Sequence, residues 1–159
     1  MAEENGSFHQ EEQEEGVYAD RITVASGEAL AEGNALIIYQ GLWIKADTIR
    51  YYLETTEIIV SGNVHFNNGE YQLWAEKMEG NLQDELVLTG NSRLSYNDIE
   101  AESDTIIYNI NEETALLEGS VRGNIDDIEV SGEELFLDLP AERYILSSEA
   151  KVLFQGKGD

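Results

Sequence analysis

Apolar and polar residues alternate with a period of two over most of this chain. The runs Ala35/Ile37/Tyr39, Leu42/Ile44/Ala46, Ile49/Tyr51/Leu53 and Ile58/Val60 each place an apolar side chain at every second position. That is the spacing of a strand with one face buried and the other in water. The series then recurs. Its first run returns as Val64/Phe66, Leu94/Tyr96, Val121/Ile125 and Ala150/Val152/Phe154, and its second as Tyr71/Leu73/Ala75, Ile99/Ala101/Ser103 and Ile128/Val130/Gly132. The third returns as Met78/Leu82, Ile106/Tyr108/Ile110 and Leu135/Leu137/Leu139, and the closing one as Leu86/Leu88, Ala115/Leu117 and Tyr144/Leu146. Apolar spacing of three and four is sustained nowhere, and Gly or Asn interrupts every window of helical length, so helices are not expected.

A repeat underlies this pattern. A Gly-Asn-type turn stands at Gly33-Asn34, Gly62-Asn63, Gly90-Asn91 and Gly119-Ser120, then in degenerate form at Ser148-Glu149, at intervals of 29, 28, 29 and 29 residues. A second element, small-acidic-polar-apolar, keeps step with it. It reads Ala19-Asp20-Arg21-Ile22, Ala46-Asp47-Thr48-Ile49, Ala75-Glu76-Lys77-Met78, Ser103-Asp104-Thr105-Ile106 and Gly132-Glu133-Glu134-Leu135. The phase of alternation switches at Gln40-Gly41, Gly69-Glu70, Asn97-Asp98, Asp126-Asp127 and Gln155-Gly156, residue pairs suited to tight turns. Three strands per repeat is the simplest reading. Leu153-Phe154-Gln155-Gly156 looks like a protease-cleavage remnant, yet residues 150–156 align in register with residues 35–41 and count as a fifth, truncated repeat.

These features predict one all-β, antiparallel domain over residues 17–156, built from four to five repeats. An acidic flexible arm, residues 1–16, precedes it, and a short tail, residues 157–159, follows. The single proline, Pro140, leaves little to interrupt a sheet.

With 33 acidic residues against 9 basic ones the net charge is -24, which disfavours nucleic acid and anionic membrane surfaces as partners. There are no cysteines, so disulfides and thiolate metal sites are excluded. No apolar run reaches the ~20 residues of a bilayer-spanning helix. The arm, with Glu3, Glu4, Glu11, Glu12, Glu14 and Glu15 and no Lys or Arg, is not an export signal, so an exported protein would have lost its signal.

Catalytic chemistry has no foothold in the sequence. His9 lies in the arm and His65 at an outer strand position; neither has ligand spacing, and both are expected to be solvated. Asp126-Asp127 and Glu133-Glu134 fit a solvated acidic face far better than a glycosidase pair. Nucleophile elbows, phosphate-cradling Gly loops and calcium loops are absent, so neither enzyme, cofactor nor metal is expected. On the outer face, Leu36, Ile38, Trp43 and Tyr52 stand where later repeats carry Asn91, Arg93 and Ser95. This patch is either a docking surface or is packed against residues 17–25. Trp74 is read as a single exposed aromatic residue, and carbohydrate binding by Trp43 and Trp74 is a third possible use of that face.

The recurring Ala-Asp-x-apolar element and Gly62-Asn63-Val64, with Gly33-Asn34-Ala35 as a near variant, resemble the OstA/LptA-like proteins of lipopolysaccharide transport. The resemblance covers roughly residues 17–156. It implies a twisted β-jellyroll opened like a folded leaf, in which antiparallel sheets enclose an apolar groove for the acyl chains of lipopolysaccharide. It also implies a periplasmic location and end-to-end joining with other Lpt-type jellyrolls, or with further copies of the chain, into a bridge between inner and outer membrane. On that basis the lipid-facing residues are Ile37, Tyr39, Ile44, Ile49, Phe66, Leu73, Met78, Leu94, Ile99, Ile106, Tyr108, Val130, Leu135 and Leu137. The partner-facing edges are Val17, Ile22 and Val24 at one end and Val152 and Phe154 at the other. A closed core that associates only through its terminal strands is the alternative reading of the same residues.

Overall fold

A computed structural model describes residues 14–154. They form twelve antiparallel strands in one continuous sheet, in which the chain runs from each long strand to its neighbour and two short strands pair with the first long strand and two with the last. The eight long strands are β3 (Glu28–Tyr39), β4 (Leu42–Tyr52), β5 (Glu57–Asn67), β6 (Gln72–Asn81), β7 (Glu85–Tyr96), β8 (Ile99–Asn109), β9 (Thr114–Ile125) and β10 (Ile128–Asp138). Short strands flank them: β1 (Gly16–Tyr18) and β2 (Arg21–Ala25) at the start, β11 (Arg143–Ser147) and β12 (Lys151–Phe154) at the end.

Each repeat supplies two long strands rather than the three expected, because the Gly-Asn pairs are not turns. They sit in mid-strand, as bulges. Between the pairs Lys45↔His65 and Thr48↔Ser61, β4 contributes Ala46-Asp47 while β5 contributes Gly62-Asn63-Val64, one residue more. Gly62 and Asn63 both take positive φ, 85° and 53°. An extra left-handed pair of this kind bends and twists the strand that carries it. The bulges of β3, β5, β7 and β9 fall at corresponding places, so the whole sheet folds along one line. Two apolar runs separated by a bulge had the appearance of two strands; they are the two arms of one bent strand.

The acidic repeat element is the other half of this corner. Asn34 donates to Asp20 Oδ2 at 3.1 Å, Asn63 to Asp47 Oδ2 at 3.1 Å and Asn91 to Glu76 Oε2 at 2.7 Å. Each carboxylate lies over the bulge glycine of the next strand, where a Cβ on Gly33 would come within 2.7 Å of Asp20 Oδ2. The glycine is therefore required twice, by its backbone angle and by the approach of the acid. The tight connections at Gln40-Gly41, Gly69-Glu70, Asn97-Asp98 and Asp126-Asp127 fall between or at the edges of long strands, as expected; Gln155-Gly156 lies outside the described residues.

Folding along the corner makes two layers. The first holds β1, β12 and the arms of the long strands containing residues 35–46, 64–75, 92–103 and 121–132. The second holds β2, β11 and the remaining arms. Their inner faces meet: the Phe66 ring of the first layer packs edge-on to the Tyr108 ring of the second, with centroids 5.4 Å apart. The apolar residues facing inward form one contiguous core.

Candidate lipid-binding site

Strand alternation puts every candidate lipid-facing residue on the inner side of one layer or the other. All of them are buried except Tyr39, which is half-buried against the same core. Ile44, Ile49, Phe66, Leu73, Met78, Leu94, Ile106 and Leu137 are fully inaccessible. In this conformation the middle of the leaf is thus filled by its own side chains.

The side of the leaf opposite the corner is fastened by polar contacts that the sequence pattern does not reveal. Tyr71, at the end of the first layer, donates its hydroxyl to Glu113 Oε1 of the second at 3.0 Å. Gln83, in a second-layer turn, donates to the Tyr39 hydroxyl at 2.7 Å. Tyr71 also packs against Tyr96 and Tyr108. Burial, reinforced by the neighbouring Glu113, drives the Tyr71 and Tyr108 hydroxyls well above the ordinary tyrosine range, so both remain protonated donors. The partners are about forty residues apart in sequence, and period-two alternation carries no information about such cross-layer pairs.

The ends of the leaf differ from its middle. Ile22 stands opposite Ala31 and Val24 opposite Ala29, so both point inward; yet they are 40% and 65% exposed. At the other end Val152 stands opposite Val130 and Phe154 opposite Ile128, and these inward residues are 48% and 81% exposed. Val17, opposite Ile37, is half-buried against the core. One inner face is therefore uncovered at each end, the second layer's at the start and the first layer's at the finish. Among the described residues, β1 and β2 pair only with β3, and β11 and β12 only with β10, so the sheet they form has an unpaired backbone edge at both ends.

The outer face corrects three expectations. His65 is not solvated: it stacks on Trp74 at 4.9 Å, meets the edge of Trp43 at 4.9 Å and bonds to Gln72 at 2.8 Å. Burial lowers its pKa below the usual histidine value, so it is neutral near pH 7. Trp74 is not a lone exposed ring, because Arg93 covers its other side with the guanidinium carbon 4.1 Å from the ring centroid. The expected patch of Leu36, Ile38, Trp43 and Tyr52 is not one surface, since the first three lie on the first layer and Tyr52 on the second. Ile38 on the first layer is buried, and Tyr18, directly opposite Leu36, lies on the same face beside it. His9 lies outside the described residues. Asp126 is held above the usual carboxylate range, chiefly by a hydrogen bond with Asp98, at an exposed turn.

A bent antiparallel sheet with an apolar interior, bulge corners and two open edges is the architecture of a folded-leaf β-jellyroll. Residues 43–143, well over half of the chain, match the family model described as LptA/(LptD N-terminal domain) LPS transport protein, and the chain belongs to that family. The family is one of transport components, not enzymes. Among solved structures, the fold is similar to that of LptH, the LptA homologous periplasmic component of the lipopolysaccharide transport device from Pseudomonas aeruginosa. The TM-score is 0.69 and the identity 12%, over 74% of this chain and 96% of that one. No curated sequence matches the chain significantly.

Proposed function

We infer that this chain is a periplasmic carrier that takes the acyl chains of lipopolysaccharide between its two layers and passes them along the leaf to a neighbouring jellyroll in a bridge between the membranes. The observation that carries this reading is the inner apolar ladder, which runs through every strand and ends uncovered at Ile22 and Val24 on one side and Val152 and Phe154 on the other. Membership of a lipopolysaccharide-transport family and a fold shared with a protein described as periplasmic support the compartment and the cargo. Energetically such a path needs area, not a catalytic group, because each buried methylene contributes ~0.8 kcal/mol. Rungs of similar size give no single site deep enough to halt transfer.

Joining follows from the repeat. β12 occupies the place that residues 36–39 hold in the first repeat, and β1 the place of residues 43–45, which are hydrogen-bonded neighbours within the chain. Setting the end of one copy beside the start of the next continues that pairing, with Val152 opposite Val17 as Ile37 is opposite Ile44, and Leu146 opposite Ile22 as Ala31 is opposite Ile49. A Val17→Cys/Val152→Cys variant, in a protein with no other cysteine, should form intermolecular disulfide ladders under mild oxidation.

The cargo is tested by photocrosslinking to purified lipopolysaccharide, with the crosslinker placed at Phe66, Leu94 and Ile106 inside, at Ile22 and Phe154 at the ends, and at Arg93 and Glu102 outside. Adducts inside and at the ends, with none outside, are expected. Complete burial of the middle rungs favours a second reading, a closed structural core that associates through its terminal strands. Absence of any inner adduct in a folded protein would select it.

A further inference from the structure

The outer face of the second layer carries an apolar line that the transport reading does not use. In register across five adjacent strands, Val87 stands opposite Ile107, Ile107 opposite Leu116, Leu116 opposite Phe136 and Phe136 opposite Ile145. All five point away from the core. The first four are half-buried and Ile145 is 40% exposed. The same row begins near the start of the chain as Thr23, Leu30, Arg50, Ile59 and Glu79. Odd-numbered long strands keep an apolar residue there throughout. On the even-numbered ones, Arg50 and Glu79 interrupt the row, whereas Ile107 and Phe136 complete it. Because the backbone repeats, the architecture does not demand that change.

Charged and polar rows run on both sides of the line. The row nearer the corner holds Thr89, Thr105, Glu118, Glu134 and Ser147, and the outer row Glu85, Asn109, Thr114, Asp138 and Arg143. Four acids thus border the apolar line against one arginine. Five strands at ~4.8 Å spacing span about 19 Å, the length of an α-helix of about 13 residues. The bordering rows lie one pleat period, about 7 Å, to either side, within reach of the long side chains of such a helix.

We propose that this surface docks a cationic amphipathic helix of a partner protein, with one apolar line seated on Val87–Ile145 and Lys or Arg side chains over Glu118, Glu134, Glu85 and Asp138. The acids set the sign of the partner and exclude an anionic membrane as the occupant.

The test uses the full chain and a fluorescent, about 14-residue helical peptide with Leu along one line and Lys on its flanks, followed by fluorescence anisotropy at physiological salt. An Ile107→Arg/Phe136→Glu variant places the residues of the earlier repeats into the row and leaves net charge unchanged; circular dichroism and thermal melting verify its fold. Loss of affinity by about tenfold or more is expected on removing two apolar anchors. A scrambled peptide of identical composition, with no apolar line, should bind at the variant's reduced level. Equal binding of the native chain to both peptides, or unchanged binding by the variant, would reduce the effect to general charge attraction and overturn the proposal. So would concentration-dependent dimers that vanish in the variant, which would make a second copy the occupant, or retention of the native chain on anionic vesicles through the same residues.

Discussion

The middle of the leaf and its two ends are built from the same alternating positions, yet solvent sees them differently. Phe66 and Leu94 are wholly covered by the opposite layer, whereas Phe154 and Val24, on the same inward phase, are 81% and 65% exposed. Residue type and strand parity do not distinguish them; the number of strands packed around each does. Middle rungs consequently bear on folding, and end rungs on what comes next to the protein. Phe66→Ala should cost about 3–5 kcal/mol, measured as the change in urea unfolding free energy. Phe154→Ala should change stability by less than about 0.5 kcal/mol while weakening end-to-end association in sedimentation. If both substitutions cost the same stability, the ends are packed in solution and the distinction fails.

The inward phase was legible in the sequence because it depends on one local rule, alternation, repeated in every strand. That rule correctly places residues from Ile37 to Leu137 on the inner face. It failed at the corner. A Gly-Asn pair with positive φ serves a hairpin turn and a bulge equally well, and only the partner strand, through Asp47 over Gly62, decides between them. It also failed for His65 and Trp74, where outward phase was equated with solvation although neighbouring aromatic rings cover one another across strands. Pairs joined through the fold, such as Tyr71 with Glu113, leave no periodic trace at all.

The corner supplies the next contrast. Gly62 and Gly41 have nearly the same φ, 85° and 86°, but a Cβ on Gly62 would collide with Asp47 whereas one on Gly41 would meet nothing within 4 Å. Gly41→Ala should therefore cost only the backbone term, about 1 kcal/mol. Gly62→Ala should cost more, about 2–3 kcal/mol, and adding Asp47→Ala should recover part of the difference. Strict additivity in that double-mutant cycle would mean that the carboxylate does not press on the bulge.

Weaker still are the fastenings along the open side. Replacing Tyr39 and Tyr71 by Phe removes the hydroxyls that reach Gln83 and Glu113 and should cost about 1 kcal/mol for each bond lost. The informative readout is kinetic: an environment-sensitive apolar dye should enter the double variant faster than the native chain, since the layers part more readily. Unchanged uptake would locate entry at the ends instead, past Val24 or Phe154.

The smallest effect expected is the titration of His65, on the outer face of the first layer. Burial between Trp43 and Trp74 lowers its pKa from the ordinary value of 6.5; the hydrogen bond to Gln72 opposes that, and the charges of Lys45 and Arg93 add to it. With the folded pKa below the unfolded one, the unfolded chain takes up the proton first as pH falls, so stability is lost on acidification below about 6.5 and is complete above it. The loss belongs to the imidazole alone. The stability difference between the native chain and His65→Gln should therefore shrink between pH 7.5 and about 5, a window in which histidine titrates and most exposed carboxylates remain ionised. A difference that stays constant over that range would mean that the Trp43–His65–Trp74 stack opens readily enough for the ring to titrate as it does in water, and that the outer face is looser than the closed core behind it.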